Sequence, residues 1–285
     1  MPGMGGVRNN ENFRLNCDGW EVCRKHALAL FNHFITSDES KETPRIRLAP
    51  ITGAVENVGF ENEQDFYYSV LFSAFKAGIG LSIGDGCPDL KLQSGIGAVQ
   101  WLQRTNPEAR AAAFIKPYNN QKIFERMEWV KPVAETIGVD IDSYNIVTMR
   151  SLVQLEHKTA SQLTELKKHL SVPFAIKGVF MEEDVELVKA VHPDIIYISN
   201  HGGRVDTRTG STAEFLMKYR EDLINSCDQI WIDGGLRTPL DIATALSLGA
   251  SQVLIGRPFI SALCRGGTEG LCARAAELQI PYKKM

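Results

Sequence analysis

Within six residues, Ser199-Asn200-His201-Gly202-Gly203-Arg204 offers a base and an anion clamp. His201 can take up a proton near neutral pH. Arg204, three residues on, can grip a carboxylate through two parallel N–H bonds. Two further segments pair glycine with arginine: Asp233-Gly234-Gly235-Leu236-Arg237 and Gly256-Arg257-Pro258. Glycine lets backbone come close to a ligand, and the arginines add positive charge. A helix starting near Thr238 would aim its free N–H groups at the same space, so the two segments read together as a phosphate cradle.

Lys177 closes the otherwise apolar run PFAIK at 173–177. A buried lysine needs an anion or must lose its proton. A flavin pyrimidine edge, a substrate phosphate and a Schiff base would each serve. Asp140 and Asp142 stand two residues apart, so on one strand both would face inward. One of them could orient His201, as a carboxylate fixes an imidazole tautomer. A divalent metal held by the carboxylate pair is the competing reading.

These residues fall at the ends of eight short apolar runs: IRLAP (46–50), IGLSI (79–83), AAFIK (112–116), IGVDI (137–141), PFAIK (173–177), IIYIS (195–199), QIWID (229–233) and QVLIG (252–256). Each is bounded by Gly, Pro, Asp or Asn, as buried parallel strands are. Their starts lie about 22 to 36 residues apart, the length of one βα unit. Amphipathic stretches at 63–78, 159–170, 181–191 and 238–250 fill the gaps, with Thr159 or Ser161 and Thr238 as caps and Gly78 and Gly249 as stops. Eight such units predict one closed (β/α)8 barrel over 45–285, with chemistry at the C-terminal ends of the strands. The leader, 1–44, is expected to carry a helix around 20–35 and to cover the bottom of the barrel.

Composition narrows the function classes. The chain has 285 residues, 44% hydrophobic and 23% charged, which is ordinary for a folded globular protein. Its net charge of −3, from 31 basic and 34 acidic residues, gives no excess to neutralise a nucleic-acid backbone. No apolar run is long enough for a membrane span, and the first residues lack a signal-peptide core. The six cysteines form no CxxC pair and no zinc spacing with histidine. They predict reduced thiols in a cytoplasmic protein with no structural metal.

Lys177-Gly178, SNHGGR, DGGLR and IGRP, in this order and spacing, resemble the FMN-dependent α-hydroxy-acid oxidase and dehydrogenase family, most strongly over 172–260 and in a compact form. The resemblance implies a TIM barrel with FMN at the strand C-termini, a small 2-hydroxy acid as substrate, and a homo-oligomer, a tetramer. It implies that His201 is the active-site base, paired with Asp142, and that Arg204 and Tyr118 hold the substrate. Lys177 would face flavin N1 and O2, and Ser199 would touch the flavin. Asp233, Gly234, Gly235, Arg237, Gly256 and Arg257 would take the phosphate and ribityl chain. Pro50, Ile51, Thr52 and Gly53 would pass the flavin ring, with Asp140 nearby and Lys116 where the family has a flavin-contacting glutamine. Three features depart from the family: no N-terminal tyrosine is evident, Gly84-Asp85 replaces a pair of small hydroxyl residues, and the segment between the fourth and fifth runs is short. The alternatives are a type 2 isopentenyl diphosphate isomerase-like FMN enzyme and a flavin-binding barrel without hydroxy-acid turnover.

Overall fold

The computed structural model describes residues 10–34, 45–145, 153–205 and 207–279. Eight parallel strands appear where the apolar runs predict them: β1 (Ile46–Leu48), β2 (Leu81–Gly84), β3 (Ala111–Ile115), β4 (Ala134–Asp140), β5 (Phe174–Val179), β6 (Ile195–Ile198), β7 (Gln229–Ile232) and β8 (Gln252–Ile255). They are hydrogen-bonded in the order β1-β8-β7-β6-β5-β4-β3-β2. The ring closes between β1 and the residue before β2: Leu48 N–H donates to the Gly80 carbonyl at 2.8 Å and Gly80 N–H to the Ile46 carbonyl at 3.0 Å. The fold is a (β/α)8 barrel.

Ten helices are described: α1 (Glu11–Phe34), α2 (Ala54–Val58), α3 (Glu63–Lys76), α4 (Leu90–Gln103), α5 (Asn120–Val130), α6 (Ala160–Lys168), α7 (Glu182–Val191), α8 (Thr212–Ile224), α9 (Pro239–Ser247) and α10 (Arg257–Leu278). Local chemistry starts several of them. Thr159 and Thr238 both form capping boxes, with Gln162 and Asp241 respectively, which satisfy the first N–H groups of α6 and α9. None of the described helices is long and apolar enough to cross a membrane.

The barrel interior is a separate packed cluster of Ala112, Phe114, Ala175, Ile195, Tyr197, Trp231 and Leu254. Phe114 meets Tyr197 edge-on with ring centres 5.2 Å apart, and both rings approach Trp231. Edge-to-face contacts of this kind add to the stabilisation from area burial alone. Beneath them Arg47 plugs the N-terminal mouth. Its guanidinium lies 4.7 Å from the Trp231 ring centre, donates to Gln252 Oε1 and the Leu81 carbonyl, and pairs with Glu135 at 2.6 Å.

The leader departs from expectation. Its helix begins at Glu11, well before residue 20, and does not lie under the barrel. It packs in the groove of α8 and α9 and reaches the C-terminal rim, where Asn10 Nδ2 donates to the Gly203 carbonyl and Trp20 Nε1 to the Gly234 carbonyl. Asparagine side chains matching exposed loop carbonyls, rather than an apolar stripe alone, determine this position.

Replacing Arg47 tests the interior. Arg47→Ala strands a buried acceptor and empties the space against Trp231, and should lower stability by about 3 kcal/mol in urea unfolding. Arg47→Lys, which keeps charge without the fork, should lose less. A wild-type midpoint for the alanine variant would remove this plug from the account of stability.

Candidate active site

One buried carboxylate organises the cavity floor. Asp140, the last residue of β4, is 4% exposed. Lys177 Nζ, from β5, lies 2.7 Å from its Oδ1, and Lys116 Nζ, just past β3, lies 2.8 Å from its Oδ2. His201 Nε2 is 3.1 Å from the same Oδ2. Burial alone would push the Asp140 carboxyl up, but His201, Lys116 and Lys177 overcome it and hold it well below the usual carboxylate range. Burial likewise works against charge on Lys177, and Asp140, Asp142 and Asp233 outweigh it, holding its ammonium above the ordinary lysine range.

Gly178 explains why lysine is followed by glycine. The β5–β6 register shifts between Lys177 and Val179, and Gly178 there has φ of +96°. A Cβ on Gly178 would lie 2.3 Å from Asp142 Oδ1. Asp142 therefore fits only against a glycine. It is fully buried just beyond β4 and does not line the cavity, and its Oδ2 lies 2.9 Å from His201 Nδ1. The expectation that both aspartates face inward is corrected here: β4 ends at Asp140, so strand alternation no longer governs Asp142.

His201 itself sits at φ of +54°, an uncommon conformation for a side-chain-bearing residue. Its backbone N–H donates to Ser199 Oγ, which in turn donates to Asp233 Oδ1 at 2.8 Å. Both ring nitrogens face carboxylates, and Lys177 Nζ is 3.2 Å from Nε2. A protonated ring donates Nε2–H to Asp140; a neutral ring, with its proton kept on Nδ1 by Asp142, accepts from Lys177. Burial disfavours the imidazolium, but Asp140 and Asp142 prevail and raise the His201 pKa above the ordinary value. Ligand atoms of Asp140, Asp142 and His201 all lie within 4.8 Å of one another, a spacing a metal could use. The two ammonium groups already on Asp140 oppose a further cation there.

Above this floor a cavity of about 300 Å³ is lined by most of the expected strand-end residues: Pro50, Ile51, Thr52, Gly53, Lys116, Asp140, Lys177, His201, Arg204, Asp233, Gly234, Gly235, Arg237, Gly256 and Arg257. Three arginines border it without a carboxylate partner among the described residues. Burial lowers the pKa of Arg204, Arg237 and Arg257, the last to about 10 with help from the neighbouring Arg237 charge. Arg257 Nη2 donates to the Gly202 carbonyl, and the guanidinium groups of Arg257 and Arg237 lie 4.4 and 5.3 Å from the Phe13 ring centre of α1.

The structure revises several details of the cradle. A Cβ on Gly235, whose φ is +77°, would fall 2.1 Å from the Asn16 carbonyl oxygen, and one on Gly234 would meet Thr212 and Asn16. The glycines of the DGG segment thus admit α1 as well as bordering the cavity. The first turn of α9 is not an open anion site: Arg237 N–H and Thr238 N–H both donate to Asp241 Oδ2. The uncapped helix start at the cavity belongs to α10, where Gly256 and Arg257 line the wall and no side chain caps the end. Ser199 and Tyr118 do not line the cavity. Ser199 is fully buried between Asp233 and His201, and the Tyr118 ring is 2% exposed, covered by Lys122 and Arg126.

Sequence reasoning also missed residues. Asp85, at the end of β2, lines the cavity while its carboxylate accepts from Gly86 N–H and Lys116 N–H, and burial raises its pKa. Its place at a strand C-terminus was the available signal. Cys87 and Lys91 complete that wall. Asn12, Phe13 and Asn16 of α1 gave no signal, because the partners of their side chains all lie beyond residue 199.

Residues 99–279, almost two thirds of the chain, match the sequence profile of FMN-dependent dehydrogenases. The chain belongs to the FMN-dependent dehydrogenase family. Among its relatives, a 2-hydroxyacid oxidase of Dictyostelium discoideum is 37% identical over 113 residues, 40% of this chain and 29% of that protein. An L-lactate dehydrogenase of Vibrio parahaemolyticus is 39% identical over 99 residues, 35% of this chain and 26% of the other. The aligned part thus spans less than a third of these relatives' length. In fold, the chain resembles a mandelate oxidase variant carrying a flavin adduct, with TM-score 0.65, 20% identity, and 98% of this chain and 88% of that one covered.

FMN is the cofactor of the FMN-dependent dehydrogenases, and the cavity suits it. The phosphate needs cations, and Arg237 and Arg257 stand beside the uncapped start of α10. The ring needs a flat wall and a polar edge, and the cavity presents Ile51 and Leu254 as well as the Lys116, Asp140 and Lys177 cluster.

The charge pattern has a measurable pH signature. The stabilisation from the raised His201 pKa is complete below the ordinary histidine range and is lost as pH rises through the raised value. That from the lowered Asp140 pKa is complete above the ordinary carboxylate range and is lost as pH falls through the lowered value. In cofactor-free protein, NMR of the labelled ring should show His201 titrating above pH of about 6.5. Asp142→Asn should bring the titration down. An unshifted titration in both proteins would contradict the pairing.

Proposed function

We propose that this protein oxidises a 2-hydroxy acid to the 2-keto acid. The carrying observation is that His201, Lys177 and Arg204 border one cavity, with Arg204 free of any carboxylate among the described residues. An unpaired, half-buried guanidinium is a ready partner for a substrate carboxylate. The relatives support the reading, since the Dictyostelium protein is a 2-hydroxyacid oxidase and one from Lactobacillus jensenii is an L-lactate oxidase. The isomerase-like alternative gains no support from them.

Each residue has a distinct task. Arg204 anchors the carboxylate and so fixes the carbinol carbon. Asp142 holds Nδ1–H of His201, which leaves Nε2 as the atom that accepts the hydroxyl proton. FMN supplies the acceptor for the two electrons and the hydrogen leaving the carbinol carbon. Lys177 places a fixed positive charge where negative charge develops during that transfer. Asp142 and Ser199 act through His201 and are positioning residues. Tyr118, set back from the cavity, supports the Lys116 segment in this reading rather than contacting substrate. Residues 45–285 form the flavin-binding barrel, and the leader braces its phosphate end through α1. A homo-oligomer, a tetramer by resemblance to the family, and a cytoplasmic location complete the proposal; the free state of all six cysteines supports a reducing compartment.

Anaerobic titration of the yellow holoprotein with a panel of 2-hydroxy acids tests the reaction, and at least one should bleach the flavin. His201→Gln should slow that reduction by about 10² to 10⁴ while leaving FMN bound. Arg204→Lys should chiefly raise the substrate concentration needed. Failure of every 2-hydroxy acid to reduce the flavin would overturn the proposal, and undiminished reduction by His201→Gln would remove His201 as the base.

A further inference from the structure

The cavity wall formed by the loop after β7 and the start of α10 gathers positive charge. Arg237 and Arg257 both line it, and the first turn of α10 adds an uncapped helix N-terminus. Asp233 and Asp241 bear on these arginines electrostatically, but both carboxylates are bonded elsewhere. Asp233 accepts from Tyr197 at 2.7 Å and Ser199 at 2.8 Å. Asp241 pairs with Arg24 at 2.8 Å and accepts two backbone N–H groups at the start of α9. What the two guanidinium groups share instead is a ring. The Phe13 ring centre lies 4.4 Å from Arg257 Cζ and 5.3 Å from Arg237 Cζ.

A ring face attracts a cation through its quadrupole and leaves the charge in place. A carboxylate at the same point would hold the arginines too, but it would compete with any anion that came to bind. The ring is itself held firmly. Its neighbours Asn12 and Asn16 bond Val205 and Asn200 of the loop after β6. Gly203 of that loop, with φ of +88°, admits the helix: a Cβ there would fall 2.7 Å from the Phe13 backbone nitrogen. Phe13 does not line the cavity, so it acts through the arginines. We propose that Phe13 is a positioning residue for the cofactor phosphate, its ring holding Arg237 and Arg257 ready for the dianion with their charge unspent. The inference rests on FMN as the occupant. An arginine loses side-chain freedom when it grips an anion, and a guanidinium already held against a ring has lost part of it beforehand.

Titration of cofactor-stripped protein with FMN and with riboflavin, which lacks the phosphate, followed by flavin fluorescence, tests the assignment. Wild type should bind FMN the more tightly. Phe13→Leu keeps apolar bulk and loses the aromatic face. It should weaken FMN by about 5- to 100-fold, the cost of fixing two loosened side chains, and leave riboflavin nearly unchanged. Phe13→Tyr, which restores the face, should match wild type. If Phe13→Leu binds FMN as tightly as wild type, weakens both flavins alike, or is matched by Phe13→Tyr, the proposal is overturned while FMN binding stands. Equal binding of the two flavins by wild type would overturn it as well. If wild type binds neither flavin, the cofactor reading itself fails and takes the proposal with it. A second measurement needs no variant. In cofactor-free protein labelled with ¹⁵N-arginine, the ring should shift the Arg257 guanidinium protons upfield before any FMN is added; protons at their ordinary position would show that Phe13 does not hold this group.

Discussion

A buried carboxylate shared among three cations is the constraint on which the cavity depends. Asp140 is tolerated inside the barrel only because Lys116, Lys177 and His201 converge on it from β3, β5 and the loop after β6. The dependence is mutual. Without Asp140, each of the two buried ammonium groups would lose the carboxylate it bonds, and an unpaired buried charge costs several kcal/mol. The aromatic layer of Phe114, Tyr197 and Trp231 supports the cluster from below, with Lys177 Nζ 5.4 Å from the Tyr197 ring centre. The barrel thus changes from apolar packing to ionic chemistry within one layer of side chains.

A second constraint acts at the rim. The loops after β6 and β7 carry His201, Arg204 and the cavity-lining residues Asp233 to Arg237, and loops need external bonds to hold a fixed shape. Here α1 provides them. Asn12 donates to the Val205 and Arg208 carbonyls, Asn16 donates to Asn200, and Asn16 Oδ1 receives Thr212 N–H. Arg24 pairs with Asp241, the residue that also caps α9. The site is therefore held from two directions, by the ion cluster beneath and by a helix beside it.

What could be read in the sequence followed from local chemistry. The eight strands were legible because apolar runs bounded by breakers repeat at one βα spacing, and Thr159 and Thr238 announced their helices as N-cap residues. The convergence of Lys177, His201 and Arg204 followed from barrel geometry alone. Long-range packing was not legible. The DGG glycines read as room for a ligand, and only the fold shows α1 seated against them. Ser199 and Tyr118 stand at the right strand ends, yet side-chain direction and the cover given by Lys122 and Arg126 keep them from the cavity. Asp85 was passed over because it departs from the family pattern, although its position on the rim was plain.

The placement of α1 has a temporal consequence. The helix is made well before its partners: Asn12 bonds a residue 193 positions later and Trp20 one 214 positions later. Contacts so distant in sequence form only after a large loop-closure cost has been met. At a synthesis rate of about 5 to 20 residues per second, the helix waits roughly 10 to 40 seconds for its groove. During that interval Trp20, Cys23 and Ala27, all fully covered in the finished fold, have nothing to pack against. The rim that α1 braces is consequently completed only after Asp241 has been made, and a nascent chain halted before that point leaves Trp20, Cys23 and Ala27 without their groove.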